Sequence, residues 1–139
     1  MTPLLEHPTL HDIHQAQERL KPHIRHTPLL RAEKMETTLG CEVYLKPETL
    51  QITGAFKIRG ALNKALSLPR EAIANGIIAT SSGNHAQGLA YAARMLGVKA
   101  LLVVPVTTPK IKVENTRALG AEVILFDGDT AARWKRVYE

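Results

Sequence analysis

Gly76-Ile77-Ile78-Ala79-Thr80-Ser81-Ser82-Gly83-Asn84-His85-Ala86-Gln87-Gly88 is the stretch that decides the fold. Its first five residues are a short apolar run of the kind buried inside a parallel sheet, and small polar residues end it. From Asn84 to Leu96 an alanine-rich segment predicts a helix, with Gly97 as its C-cap. Towards the C-terminus the alternation repeats. Lys99 to Val104 reads as a strand, Pro109 to Leu119 as a helix with proline at its first position and Gly120 as its cap, Ala121 to Phe126 as a third strand, and a further helix opens near Asp129. Strands and helices alternating at this interval mean right-handed βαβ units. The expected class is α/β: three layers, a parallel sheet with flanking helices.

Towards the N-terminus the pattern is less regular. A helix is expected from Lys57 to Leu66, stopped by Ser67-Leu68-Pro69. Glu42 to Lys46 reads as a short strand ended by Pro47, and Ala32 to Leu39 as a helix capped by Gly40. His26-Thr27-Pro28-Leu29-Leu30 bends into an extended segment, because the residue before proline is pushed out of the α region. Thr9 and Asp12 open a first helix along which Leu10, Ile13, Ala16 and Leu20 recur, ending near Lys21-Pro22. Val137-Tyr138-Glu139 carries no helix stop signal, so the sequence leads one to expect a polypeptide cut there.

Composition narrows the function classes. The 139 residues are 45% hydrophobic, enough to build a core. The net charge of +5, from 18 basic and 13 acidic residues, is spread along the chain. With two phenylalanines, three tyrosines and one tryptophan there is little to stack on bases, so nucleic-acid binding is not expected; the excess suits solubility and anionic metabolites. Cys41 is the lone cysteine, which excludes an internal disulfide and, without a CxxC or a ligand cluster, suggests neither zinc nor a redox pair. His7, His11 and His14 have no cysteine or carboxylate to complete a ligand set and read as solvated surface, so no metal site is expected. No signal peptide is read at Met1 to His14, and the longest apolar run, Ala100 to Val106, is too short to span a bilayer. A cytoplasmic protein with no membrane partner is the expectation.

Two stretches carry chemistry. In a parallel α/β sheet, ligands bind outside the carboxyl ends of the strands, where Thr80-Ser81-Ser82-Gly83-Asn84 lies. A helix start there offers unsatisfied N–H groups to a carboxylate or phosphate, although Ser82 or Asn84 as a plain helix cap would explain the residues equally. Thr53-Gly54-Ala55-Phe56-Lys57-Ile58-Arg59-Gly60 sets a lysine between an aromatic and a β-branched residue. Such neighbours are expected to desolvate Lys57 and let its amine attack a carbonyl; the bland alternative is a lysine that snorkels to solvent. An amine nucleophile beside an anion-binding turn is what a Schiff-base enzyme requires.

Gln51 through Ala61, Ser81 through Gly88 and Gly120-Ala121-Glu122-Val123 together resemble the threonine dehydratase and serine racemase branch of the fold-type II pyridoxal-phosphate enzymes, with a tryptophan synthase beta-like fold. Thr27-Pro28-Leu29 and Tyr44-Leu45-Lys46-Pro47-Glu48 match as well, in the right order, so the resemblance covers nearly the whole chain. Lys57-Ile58-Arg59 and Gly83-Asn84-His85 favour this branch over the cysteine and threonine synthases.

The resemblance implies that Lys57 holds pyridoxal 5'-phosphate as a Schiff base and acts as base at Cα. It also implies that Phe56 packs near the cofactor and that Asn84 hydrogen-bonds its ring oxygen. Ser81, Ser82, Gly83, Asn84 and His85 would receive the substrate carboxylate, with Ser82 as second acid/base. The implied activity is lyase chemistry on a small amino-acid substrate, a threonine or serine ammonia-lyase; a racemase or a non-catalytic ligand-binding fragment are the alternatives. A homo-oligomer, dimer or tetramer, is implied for the full-length form.

Thr49, Ala55 and Ala86 depart from this branch, which often has Asn, Ser and, in racemases, Gly there. The family's phosphate-binding run of glycines is absent, since no two glycines are adjacent. The chain is therefore expected to be incomplete and inactive by itself. Residues 1–52 are expected to belong to a large domain and 53–139 to a truncated small domain.

Overall fold

Three apolar runs pair in the order in which they occur; the central one is mostly buried, whereas the run at Ile77–Thr80, expected to be buried, is an edge strand with Ile78 exposed. In a computed structural model describing residues 7–138, β3 (Ile77–Thr80), β4 (Ala100–Pro105) and β5 (Glu122–Phe126) form a parallel sheet with β4 in the centre. Ile77 aligns with Ala100, and Leu101 with Glu122. The connecting helices α5 (Asn84–Leu96) and α6 (Lys110–Ala118) lie on the sheet face that carries Ala100, Leu102 and Val104. Helix α7 (Thr130–Tyr138) returns across β4 and β3, where Val103 is buried. The expected three-layer order is thus present.

A fourth set of contacts positions the site. Helix α3 (Lys57–Ser67) packs against α5, and α1 (Leu10–Leu20) against α3. Helix α5 is buried nearly all round: Ala86, Leu89, Ala90 and Ala93 meet the sheet core, while Ala92 joins Leu20, Leu62 and Ala65. Short side chains on both faces let one helix serve two neighbours closely. Gly88 shows how closely. A Cβ there would stand 3.1 Å from the Ala61 Cβ, 3.3 Å from the Ile58 Cα and 3.3 Å from the Lys57 carbonyl oxygen.

The N-terminal segment differs from its expectation. The strand predicted over 42–46 reduces to β2 (Tyr44–Leu45), antiparallel to β1 (Leu30–Arg31) in a separate two-stranded sheet. Glu36, on α2 (Glu33–Leu39), holds this turn together, with a bidentate pair to Arg31 at 2.9 Å and a bond from the Val43 N–H. The Thr9–Asp12 capping box is present, and Gly40 and Gly97 adopt the expected left-handed C-cap. Pro109 is the N-cap of α6, with ψ at 133°, not its first helical residue. A one-turn helix α4 (Arg70–Ile73) follows the stop read at Ser67-Leu68-Pro69, where no element was expected because four residues are too few to show a period. Leu10 and Ile13 are exposed on α1, so only the far end of its apolar face is buried, at Leu20. His7, His11 and His14 are exposed as expected, and no group of three potential metal ligands lies among the described residues. No helix among them is long and apolar enough to cross a membrane.

Candidate active site

Two helix starts meet at the site, and neither is capped by a side chain. Phe56 precedes α3 and Gly83 precedes α5, with no side-chain cap bond at either. Ser82 and Asn84 therefore do not act as the plain caps that one reading of the sequence allowed. The Arg59 N–H bonds back to the Phe56 carbonyl and the Ala86 N–H to the Gly83 carbonyl, each at 3.0 Å, while the N–H groups just before them have no side-chain cap and favour an anion. Contacts advance together along the two helices, from Ile58 and Ala61 against Gly88 to Leu62 and Ala65 beside Ala92. Their N-terminal ends consequently lie at the same edge of the molecule, beyond the end of β3.

Lys57 is the first residue of α3 and is exposed, which corrects the expectation of a desolvated amine. The reason is local: Phe56, which was expected to cover it, is itself 57% exposed and meets the amine only on one side, 4.9 Å from ring centroid to Nζ. That separation is within cation–π range. His85 brings the second motif to the first. Burial pushes its imidazole below the ordinary value, and the Lys57 ammonium pushes in the same direction. The two side chains are close enough for charge on one to be felt by the other.

Ser81, Ser82 and Gly83 form the loop between β3 and α5. The Gly83 N–H donates to the Ser81 hydroxyl at 3.4 Å, while Ser82 and Asn84 are exposed. Ser81, Ser82 and Gly83 also line a narrow crevice with Thr108, Lys112 and Thr116. Lys57, Asn84 and His85 are not part of it. The structure thus brings Lys57 within electrostatic reach of His85 and carries Ser81–Gly83 on the loop just before His85.

Several neighbours of this site gave no signal in the sequence. Lys112 Nζ lies 3.9 Å from where a Cβ on Gly83 would stand, yet it is one of two lysines on an ordinary polar helix. Arg59 forms a bidentate pair with Glu48, both bonds at 2.7 Å, although eleven residues separate them. Gly88 stood in the motif, but its partner surface on α3 could not be read from it.

The family model described as pyridoxal-phosphate dependent enzyme matches residues 20–139. The chain belongs to this family. It is 50% identical over 113 residues to the L-threonine ammonia-lyase of Geobacter sulfurreducens, a match covering 81% of this chain and 28% of that protein. Among solved structures, the T.th. threonine deaminase superposes with a TM-score of 0.83 at 46% identity, covering 94% of this chain and 41% of that one. Maize serine racemase superposes with a TM-score of 0.86 at 36% identity, covering 91% and 38%. The chain therefore spans less than half the length of each.

The residues present fit the family's cofactor. A primary amine beside an aromatic ring, at the edge where two uncapped helix starts converge, supplies both the carbonyl-reactive group and the donors that an anionic pyridine ligand needs.

Proposed function

We propose that the full-length protein is a pyridoxal-phosphate-dependent lyase converting threonine, serine or a related β-hydroxy amino acid into a 2-oxo acid and ammonia. Water is lost across Cα–Cβ and regained on hydrolysis. The observation that carries the reading is the Lys57 amine at the first turn of α3, beside His85 at the uncapped start of α5. The identity of about half to an L-threonine ammonia-lyase supports the lyase class.

When bound, pyridoxal 5'-phosphate supplies the electron sink that makes the Cα–H acidic. Lys57 would hold the cofactor, and its free amine would take the Cα proton. Phe56 flanks the Lys57 amine and limits its approach to one side. Asn84 would donate a hydrogen bond to the cofactor ring oxygen. The α5 start, with Ser81, Ser82, Gly83 and His85, receives the carboxylate, and a His85 ring held neutral leaves one nitrogen to donate and one to accept. Residues 1–52 belong to the large domain and 53–139 to the small one. The parent is cytoplasmic and homo-oligomeric, a dimer or tetramer.

Racemization is the second reading, favoured by the similarity to maize serine racemase and by the exposure of Ser82 on the loop, where it would reprotonate Cα from the other face. The test uses the full-length protein loaded with pyridoxal phosphate. Borohydride should fix the cofactor to Lys57, read by peptide mass, and threonine should yield ammonia with 2-oxobutyrate. Serine returned as its D-isomer without ammonia would establish the racemase instead. An unmodified Lys57 would overturn both.

A further inference from the structure

Lys57 has nothing of its own to hold it. Among the described residues its amine makes no hydrogen bond or ion pair, and its ring contact is with the exposed Phe56. Its helix start has no cap, and the residues before it pass through Gly54 at φ 69°. The position of the amine is therefore set by whatever fixes the backbone on either side.

Besides the packing of α3 on α5 at Gly88, two anchors do this. Gln51 is 2% exposed and uses both ends of its amide on one residue: the Arg25 N–H donates to Oε1 and Nε2 donates to the Arg25 carbonyl, each at 2.9 Å. The side chain imitates one rung of a strand pair and ties the loop to the N-terminal segment. Beyond Lys57, Arg59 reaches back to Glu48 through Nε and an Nη, both at 2.7 Å. The buried Thr27 hydroxyl donates to the same carboxylate at 2.6 Å, and Lys46 Nζ donates to the Thr27 carbonyl at 3.0 Å. Glu48 is 17% and Arg59 31% exposed in their side chains, so the pair is only lightly screened. The stretch from Thr49 to Ile58, which runs into the first turn of α3, is thus strung between fixed points, with Lys57 two residues from one of them.

We propose that the Glu48–Arg59–Thr27 clamp sets where the Lys57 amine stands, making Arg59 and Glu48 positioning residues for the chemistry. The inference rests on the reading of Lys57 as the cofactor lysine. A fork-to-carboxylate pair fixes orientation as well as distance, which a point-charge ammonium cannot reproduce. Arg59→Lys therefore keeps the charge and loses the geometry. A displacement on the order of 1 Å at a reacting group can cost about a hundredfold in rate.

The experiment compares full-length Arg59→Lys, Glu48→Gln and Thr27→Val with wild type and with Glu114→Gln. The last variant breaks the exposed 3.6 Å Lys110–Glu114 pair elsewhere and serves as control. Each protein is loaded with pyridoxal phosphate, and the rate of borohydride fixation at Lys57 is measured with kcat and KM, well below the melting temperature. Fixation and kcat should fall about tenfold to a hundredfold in Arg59→Lys and Glu48→Gln, less in Thr27→Val, with KM nearly constant. The control should match wild type. Variants that melt earlier yet keep wild-type fixation and kcat would show a clamp serving stability alone and overturn the proposal. If Arg59→Lys and Glu48→Gln fail to fold, the milder Thr27→Val decides by the same two readouts. A wild type that takes no label at Lys57 would overturn the proposed function itself, and this inference with it.

Discussion

At the scale of single residues, His85 is where the two motifs meet. The residue is exposed overall, but its ring is partly desolvated, and burial is the larger cause of its lowered pKa; the Lys57 charge is the smaller one. A folded-state value below the ordinary one means that the unfolded chain takes up its proton first as pH falls. Protonation of His85 therefore opposes folding on the acid side of about 6.5. By NMR, His85 should titrate below that value, and Lys57→Met should raise its midpoint part of the way and no further. An unchanged midpoint in Lys57→Met would mean that the amine does not stand beside the ring. Lys57 was legible in the sequence as an unusual lysine, but the choice between a covered amine and one that reaches solvent was not. Whether residue 57 is covered depends on where Phe56 points, and that is settled by the turn into α3, not by the order of residues.

Elements tell a similar story at longer range. Helix α5 spans Asn84–Leu96 as the alanine-rich pattern and Gly97 predicted, because Gly97 in its left-handed conformation ends it and the small residues Ser81–Gly83 break the chain before it. β2 was read as five residues and has two, since its partner among the described residues is the two-residue β1. What no local pattern could show is that α3 lies against α5 at Gly88. There two effects of substitution oppose each other: alanine is favoured over glycine within a helix by about 1 kcal/mol. The added Cβ, however, would meet the Ile58 Cα and the Lys57 carbonyl oxygen, backbone atoms that cannot swing aside, both at 3.3 Å. Overpacking of this kind costs about 1–3 kcal/mol. Gly88→Ala should therefore lower the melting temperature and slow borohydride fixation at Lys57 together. A Gly88→Ala protein more stable than wild type would show that the helices have room to part, and that Gly88 does not set their spacing.

At the scale of the whole molecule, the N-terminal segment and the α/β unit are separate in their sheets but joined through Glu48, Thr27 and Arg59. The sequence read the two parts and missed the join, since its members lie 11 and 32 residues apart and none belongs to a periodic pattern. The join has a signature in acid. Bonds from Arg59 hold the Glu48 carboxyl well below its ordinary 4.5, at about 2, with the Thr27 hydroxyl helping and burial opposing. A depressed carboxylate stabilises the fold fully above its unfolded value and loses that contribution as pH falls through the folded one. The window is pH 4.5 down to about 2. Asp12 and Glu36 are also lowered by hydrogen bonds, but they are unchanged by substitution at 48 and cancel in a difference. Urea unfolding of wild type and Glu48→Gln across this window isolates the join. The gap between the two stabilities should be widest near neutral pH and narrow as pH falls, by no more than about 1.4 kcal/mol per pH unit for one proton. Curves that stay parallel from pH 4.5 to 2 would mean that the Glu48 charge contributes nothing to holding the two parts together, whatever the geometry of its hydrogen bonds.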